Sequence, residues 1–335
     1  MVATTPLLQV SNLQVQFKGR RGQATVLNGV SFDLHAGETL CVVGESGCGK
    51  SMTALALLGL IPHPPGEVCA GQILFQKEDL LKVSTARLRE VRGNRISMIF
   101  QEPMTSLNPV FTVGDQIGES LRLHAGLNST QAREQAIEML RQVGIPAPER
   151  RVDEYPHQLS GGMRQRVMIA MALACRPDVL IADEPTTALD VTVQAQIFEL
   201  LHQLQQDKGT AIMLITHDMG VVAEMADRVI VMYAGRVIEQ GRTELVLKAP
   251  AHPYTRGLIA CLPELGSSLL PQRVELPEIA GVVPSIWELD QGCAFRERCP
   301  HAVERCGQEH PTMHTIEEEH AAACWLLRAP SGEPA

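Results

Sequence analysis

Residues 44–51 read Gly44-Glu45-Ser46-Gly47-Cys48-Gly49-Lys50-Ser51: a glycine, four residues, then Gly-Lys-Ser. That spacing suits phosphate chemistry. Glycines let backbone N–H groups converge on phosphate oxygens without side-chain clash. Lys50 can reach the outer phosphates of a nucleotide, and the Ser51 hydroxyl can ligate Mg2+. The apolar run 39–43 reads as a strand, and residues 50–60 read as a helix. A helix in that place points its positive end at the anion. A chance Gly-rich turn explains the letters but not the strand–loop–helix context.

Outward from the loop, further apolar runs occur at 96–100, 179–182 and 211–216. None alternates polar with apolar, which suits a mainly parallel sheet covered on both faces. Helical patterns such as 162–175 lie between them, so the expected class is α/β. Segments 7–17 and 25–34 read as antiparallel strands at one edge. Beyond residue 103 the strand signal fades, and Ala132, Ala136, Leu140 and Val143 recur at helical spacing behind the expected caps Ser129 and Thr130. An inserted helical subdomain over about 103–175 is expected. Residues 228–240 read as a hairpin around Ala234 and Gly235. After about residue 245 prolines become frequent, so the domains are placed at 1–245 and 246–335.

The 335 residues are 45% hydrophobic and 20% charged, an ordinary globular balance. A net charge of -9 argues against nucleic acid as a partner, because phosphate backbones want a basic face. Residues 1–10 show no export signal. The longest apolar runs, 52–61 and 167–175, fall short of the ~20 residues that cross a bilayer. A role at a membrane therefore requires spanning helices from other subunits. The nine cysteines are read as belonging to a reducing cytoplasm, without disulfides. Four of them, Cys293, Cys299, Cys306 and Cys324, gather in the tail.

Val179-Leu180-Ile181-Ala182-Asp183-Glu184 is an apolar strand ending in two acids. An acid in this place holds Mg2+ in phosphate-loop enzymes, which fits Asp183 and leaves Glu184 to act on the attacking water. Two solvated acids at a strand end would be the plainer reading. Pro185-Thr186-Thr187-Ala188-Leu189-Asp190 follows directly. Leu159-Ser160-Gly161-Gly162-Met163 precedes a helical run and, alone, would be a turn or a helix cap. Together, and in this order, these elements resemble the ABC transporter ATPases over roughly the first 245 residues. Met163 departs from the family's usual Gln.

The resemblance implies a P-loop NTPase: a RecA-like core with an antiparallel β edge, the helical insertion, and a small Cys-containing C-terminal extension. It implies ATP and Mg2+ as cofactors, with the whole loop Gly44–Ser51 on the phosphates. Ser160, Gly161 and Gly162 would face ATP held by a second ATPase subunit, next to Asp190. Gln101 would sense Mg2+ and the attacking water, and His217 would contact the γ-phosphate. Phe17 would stack on adenine, worth about 1–3 kcal/mol by analogy with aromatic–base contacts. It could equally serve as a core aromatic.

Gln101-Glu102-Pro103-Met104-Thr105-Ser106-Leu107-Asn108-Pro109 resembles the loop of the oligopeptide, dipeptide and nickel importer group. Ala251-His252-Pro253-Tyr254-Thr255 resembles the hallmark of that group's C-terminal extension, and structurally reads as a proline-broken surface helix. The tail with Gly292, Arg298-Cys299-Pro300 and Cys306 is similar to peptide-transporting members. The cysteine intervals leave free thiols, an iron–sulfur cluster and zinc aided by His301 or His310 all open. The resemblance implies a [4Fe–4S] cluster. It also implies a paralogous ATPase subunit, two permease subunits, an extracytoplasmic peptide-binding protein, and a peripheral place on the cytoplasmic face of the inner membrane. Import of nickel or glutathione, or an ABC ATPase outside transport, are the alternatives.

Overall fold

A computed structural model of the chain describes residues 5–20, 22–102, 106–187, 189–261 and 278–327. Pro103-Met104-Thr105, Ala188 and the prolines Pro263, Pro271 and Pro277 lie outside the described residues. The chain divides into two compact units, one of residues 1–8, 33–39 and 74–215, the other of 9–32, 40–73 and 216–335.

The first unit is organised by the parallel strands Ile96–Ile99, Val179–Asp183 and Ala211–Ile215. Val179–Asp183 lies in the middle, with Val179 opposite both Ile96 and Ala211. All fourteen residues of the three strands are buried, which is why none alternates polar with apolar. Helices Val113–His124 and Ser129–Gln142 fill the stretch expected to lack strands, and the region from 106 to 155 carries none among the described residues. Ala132, Ala136 and Leu140 are fully buried on one face of the second helix. Its cap is Asn128 rather than Ser129 or Thr130. The Asn128 carboxamide oxygen accepts from Gln131 N at 3.0 Å, and the Gln131 side chain returns to Asn128 N at 3.1 Å. This reciprocal box outcompetes the single bond a serine one position later could make.

The second unit carries the long strands Leu8–Gly19, Gly22–Leu34 and Gly66–Phe75, side by side with the first in the middle. It also holds the strand Thr39–Val43, which runs parallel to Arg228–Tyr233 from Leu40 opposite Arg228 to Val43 opposite Val231. Arg228–Tyr233 turns back into Arg236–Arg242 through Ala234 and Gly235, whose φ values of 45° and 78° make the two-residue hairpin expected there. The tail then extends this sheet. His320–Ala322 pairs antiparallel with Arg236–Arg242, and His314–Glu317 pairs with His320–Ala322. The sequence reading placed no strand so late, because three- and four-residue strands leave too little periodicity to recognise.

The tail strands are pinned by Glu239, which is 0% exposed. Its carboxylate accepts from the backbone N–H of Ala251 at 2.7 Å and of His252 at 2.8 Å, and meets His320 Nε2 at 2.8 Å. One acid thus ties a central strand, the start of a helix and the last strand together. A buried carboxylate is tolerable only with such a set of donors. Glu239→Leu would strand three donors, at about 1–3 kcal/mol for a buried unsatisfied group. Thermal or urea unfolding is expected to show a loss of at least about 3 kcal/mol for Glu239→Leu and a smaller loss for Glu239→Gln. Equal stability of parent and Glu239→Leu would contradict this role.

Candidate functional site

The loop after Thr39–Val43 has the shape its letters require. Gly44 adopts φ 148°, and a Cβ there would sit 2.3 Å from the Met232 carbonyl oxygen. Gly49 adopts φ 103°, where a Cβ would lie 2.7 Å from Leu27 Cδ2. Larger residues are excluded at both positions by packing from beneath. Gly49 then starts the helix Lys50–Leu57. Lys50 is buried, and its ammonium donates to the carbonyls of Gly44 at 2.6 Å and Glu45 at 3.1 Å. Cys48 is fully buried with Sγ 3.7 Å from Lys50 Nζ, and burial pushes its thiol up despite the ammonium. Ser46 and Gly47 are exposed at the loop's tip, and Ser51 is half-buried. A glycine-rich loop ahead of a helix start, with a lysine folded against it, suits a small polyanion.

In the other unit, Asp183 ends its strand buried at 3% exposure. Glu184 follows with φ 47°, a left-handed conformation that costs a non-glycine residue about 1–3 kcal/mol and is held by surrounding bonds. Its backbone N–H donates to the Ile215 carbonyl at 2.9 Å. Gln101, two residues beyond its strand, donates from Nε2 to Glu184 Oε2 at 3.1 Å, and the Thr187 hydroxyl donates to the same oxygen at 3.2 Å. The structure thus brings Gln101 and Glu184 together. Ser160 caps the helix Gly161–Leu173, accepting from Met163 N at 3.3 Å. Ser160 and Gly161 are exposed, so that helix end is open to solvent. Asp190 is likewise exposed and caps Val191–Lys208 by accepting from Val193 N at 3.0 Å. His217 is exposed just ahead of Asp218, which caps Met219–Met225. Phe17 is half-buried, its ring edge over Gly66, where a Cβ would come within 2.7 Å of Cζ.

Two features escaped the sequence reading. Gln165 is 0% exposed and donates to the Pro185 carbonyl, fixing the segment behind Glu184 to the helix that begins at Ser160. A lone glutamine ahead of the apolar run 167–175 was its only signal. The Ala251–Thr255 string needs correction: it is a buried helix start, not a surface one. Pro253–Ala260 is helical, with Tyr254 and Thr255 at 0% exposure. Burial lowers the His252 pKa to about 3, so its neutral ring accepts the Tyr254 N–H at Nδ1, 3.0 Å away.

The four tail cysteines line one small cavity together with His252, Pro253, Phe295, Arg296, His301 and Trp325. Burial, then the neighbouring thiols, pushes Cys293 up to about 11. His301 is at this cavity and His310 is not. Among the described residues no group of three or more His, Cys, Asp or Glu side chains stands where it could hold a metal ion as the side chains now lie.

No described helix is long and apolar enough to cross a membrane. The family described as "ABC transporter" matches residues 27–187, and "Oligopeptide/dipeptide transporter, C-terminal region" matches 238–306. The chain is 53% identical to a probable peptide ABC transporter ATP-binding protein of Sinorhizobium fredii, over 95% of this chain and 94% of that one. It is 49% identical to the dipeptide transport ATP-binding protein DppD of Bacillus subtilis, over 96% and 94%. Its Escherichia coli namesake is 47% identical over 98% and 99%. Among solved structures, the dimeric post-hydrolysis ATP-binding cassette MJ0796 bound to ADP and Pi aligns with TM-score 0.64 at 28% identity, covering 70% of this chain and 98% of that one. The loop, the acid-tipped strand, the capped glycine helix and about 50% identity over nearly the full length all agree: this chain is a P-loop NTPase that belongs to the ABC transporter ATP-binding proteins, in the branch with the oligopeptide/dipeptide C-terminal region.

Proposed function

We propose that this chain hydrolyses ATP to energise import of dipeptides or oligopeptides, as one ATPase subunit of a complex with two permease subunits and an extracytoplasmic binding protein. The observation that carries the reading is the full-length likeness to peptide-transport ATP-binding proteins, C-terminal region included. The complex would hold the chain peripherally at the cytoplasmic face of the inner membrane. The second ATPase is assigned to a paralogue. Nickel or glutathione import would share the same machinery, and a transport assay with each substrate separates them.

In this reading the loop Gly44–Ser51 takes the phosphates, with Lys50, and Ser51, Asp183 and Gln101 would hold Mg2+, which would offset the phosphate charge. Glu184 orients and deprotonates the attacking water. Its bond to Gln101 supports that role, because a base must be held in one direction to act on one water. His217 contacts the γ-phosphate and Phe17 stacks on the base. Ser160, Gly161, Gly162 and Asp190 act on nucleotide held by the second subunit. Closing the pair would be favoured only with nucleotide present, since only then are both sets of contacts made.

For the tail, the donor chemistry fits a soft-metal group: four thiols around one cavity suit a [4Fe–4S] cluster, which would supply rigid cross-linking or one-electron chemistry. Loading would release the thiol protons, a cost increased by the raised pKa values of Cys293, Cys299 and Cys324.

Glu184→Gln is expected to lower steady-state hydrolysis by at least about 100-fold while ATP still binds. A rate within about threefold of the parent would reject Glu184 as the base. Anaerobically purified protein is expected to be brown with about four irons and matching labile sulfide per chain, both lost in Cys299→Ser. Colourless protein without iron would remove the cluster.

A further inference from the structure

Glu45, the second residue of the phosphate loop, is gripped at both its backbone and its side chain from the C-terminal region. The hydroxyl of Tyr254 accepts the Glu45 N–H at 2.8 Å. Arg298 Nη1 donates to Glu45 Oε2 at 2.6 Å and Nη2 donates to Oε1 at 3.0 Å, a two-pronged pair. The rest of the guanidinium is also satisfied: Nε donates to the Ala280 carbonyl at 2.9 Å, Nη2 to the Ile279 carbonyl at 3.0 Å, and Nη1 to the Tyr233 hydroxyl at 3.3 Å. The Arg298 side chain is only 5% exposed and the Glu45 side chain 32%, so bulk salt reaches the pair from the carboxylate side alone. Tyr233, Tyr254 and Phe295 brace it from behind, with ring centroids 4.7–5.4 Å apart. Burial raises the Tyr254 pKa and keeps the phenol neutral, so its oxygen remains a stable acceptor.

A carboxylate is an odd neighbour for a polyphosphate. Unpaired in the loop, it would repel the nucleotide and could turn towards the cradle. Arg298 cancels that charge and fixes its direction, while Tyr254 fixes the backbone at the same residue. We propose that Arg298 and Tyr254 are positioning residues of the nucleotide site: the C-terminal region sets ATP affinity by holding and neutralising Glu45. This rests on reading residues 44–51 as the nucleotide site. The two residues also neighbour the thiol cavity. Arg298 precedes Cys299, and Tyr254 packs on Phe295, which lines that cavity.

The test is MgATP binding to the purified full-length chain, followed by fluorescent nucleotide titration with thermal melting alongside. Arg298→Gln is expected to weaken ATP about tenfold, and Arg298→Lys less, since an ammonium keeps the charge but loses the fork. The deciding variant is the double change Glu45→Gln with Arg298→Gln, expected to recover affinity to within about threefold of the parent because the repelling carboxylate is gone. Should Arg298→Gln fail to fold, Tyr254→Phe serves, with an expected loss of about fivefold in affinity from the freed N–H, beyond the margin of about threefold that counts as parent-like. Parent-like affinity in folded Arg298→Gln or Tyr254→Phe would overturn the proposal. So would a double variant as weak as the single one, which would assign Arg298 to packing against Ile279 and Ala280. A parent chain that binds no ATP would reject the nucleotide-site reading itself, a different failure from a parent that binds while the variants match it.

Discussion

Everything in the nucleotide half of this protein hangs on a loop that can exist only where side chains are missing. Gly44 and Gly49 rest directly on Met232 and Leu27, and an added Cβ at either would overlap its neighbour. That tightness shapes the loop so that Lys50 folds back over its own carbonyls. The strand beneath and the helix behind are the rigid frame, since a polyanion site made of backbone donors works only if the donors are held still. The hairpin between Arg228 and Arg242 matters for the same reason. Its turn supplies part of the floor, with Gly235 N donating to the Cys48 carbonyl at 2.9 Å.

The C-terminal region is physically continuous with that frame. Two short strands extend the sheet from Arg236–Arg242, and Glu239 locks their end to the start of the helix Pro253–Ala260. That helix presents Tyr254 to the phosphate loop. A string that reads as a family marker is therefore a structural joint, with a neutral buried histidine capping it. The segment matched by the oligopeptide/dipeptide C-terminal family includes this joint, which touches the loop at Glu45.

Much of this was legible in the letters because it depends on local rules. The strand Thr39–Val43, the loop's glycines, the hairpin at Ala234 and Gly235, and the helical insertion each follow from periodicity or from a turn that demands positive φ. The pairing of Gln101 with Glu184 lay beyond such rules, though order along the chain pointed to both residues. What stayed hidden is contact between residues far apart in sequence. Glu45 and Arg298 are separated by 253 positions, and nothing local marks an arginine as the partner of a loop glutamate. The cap of Ser129–Gln142 was misplaced by one residue because Asn128, Ser129 and Thr130 are all good caps. Only the partner at Gln131 decides among them.

The central claim is that residues 44–51 grip the polyphosphate of a nucleotide through Lys50 and the loop amides. Titration of MgATP into the Lys50→Ala protein, compared with the parent at the same salt, tests it most directly. A loss of affinity of at least about tenfold, in a protein that melts like the parent, is the predicted result, as removing a close charge partner from a phosphate site should give. Undiminished affinity for ATP, with substrate uptake intact, would contradict the account.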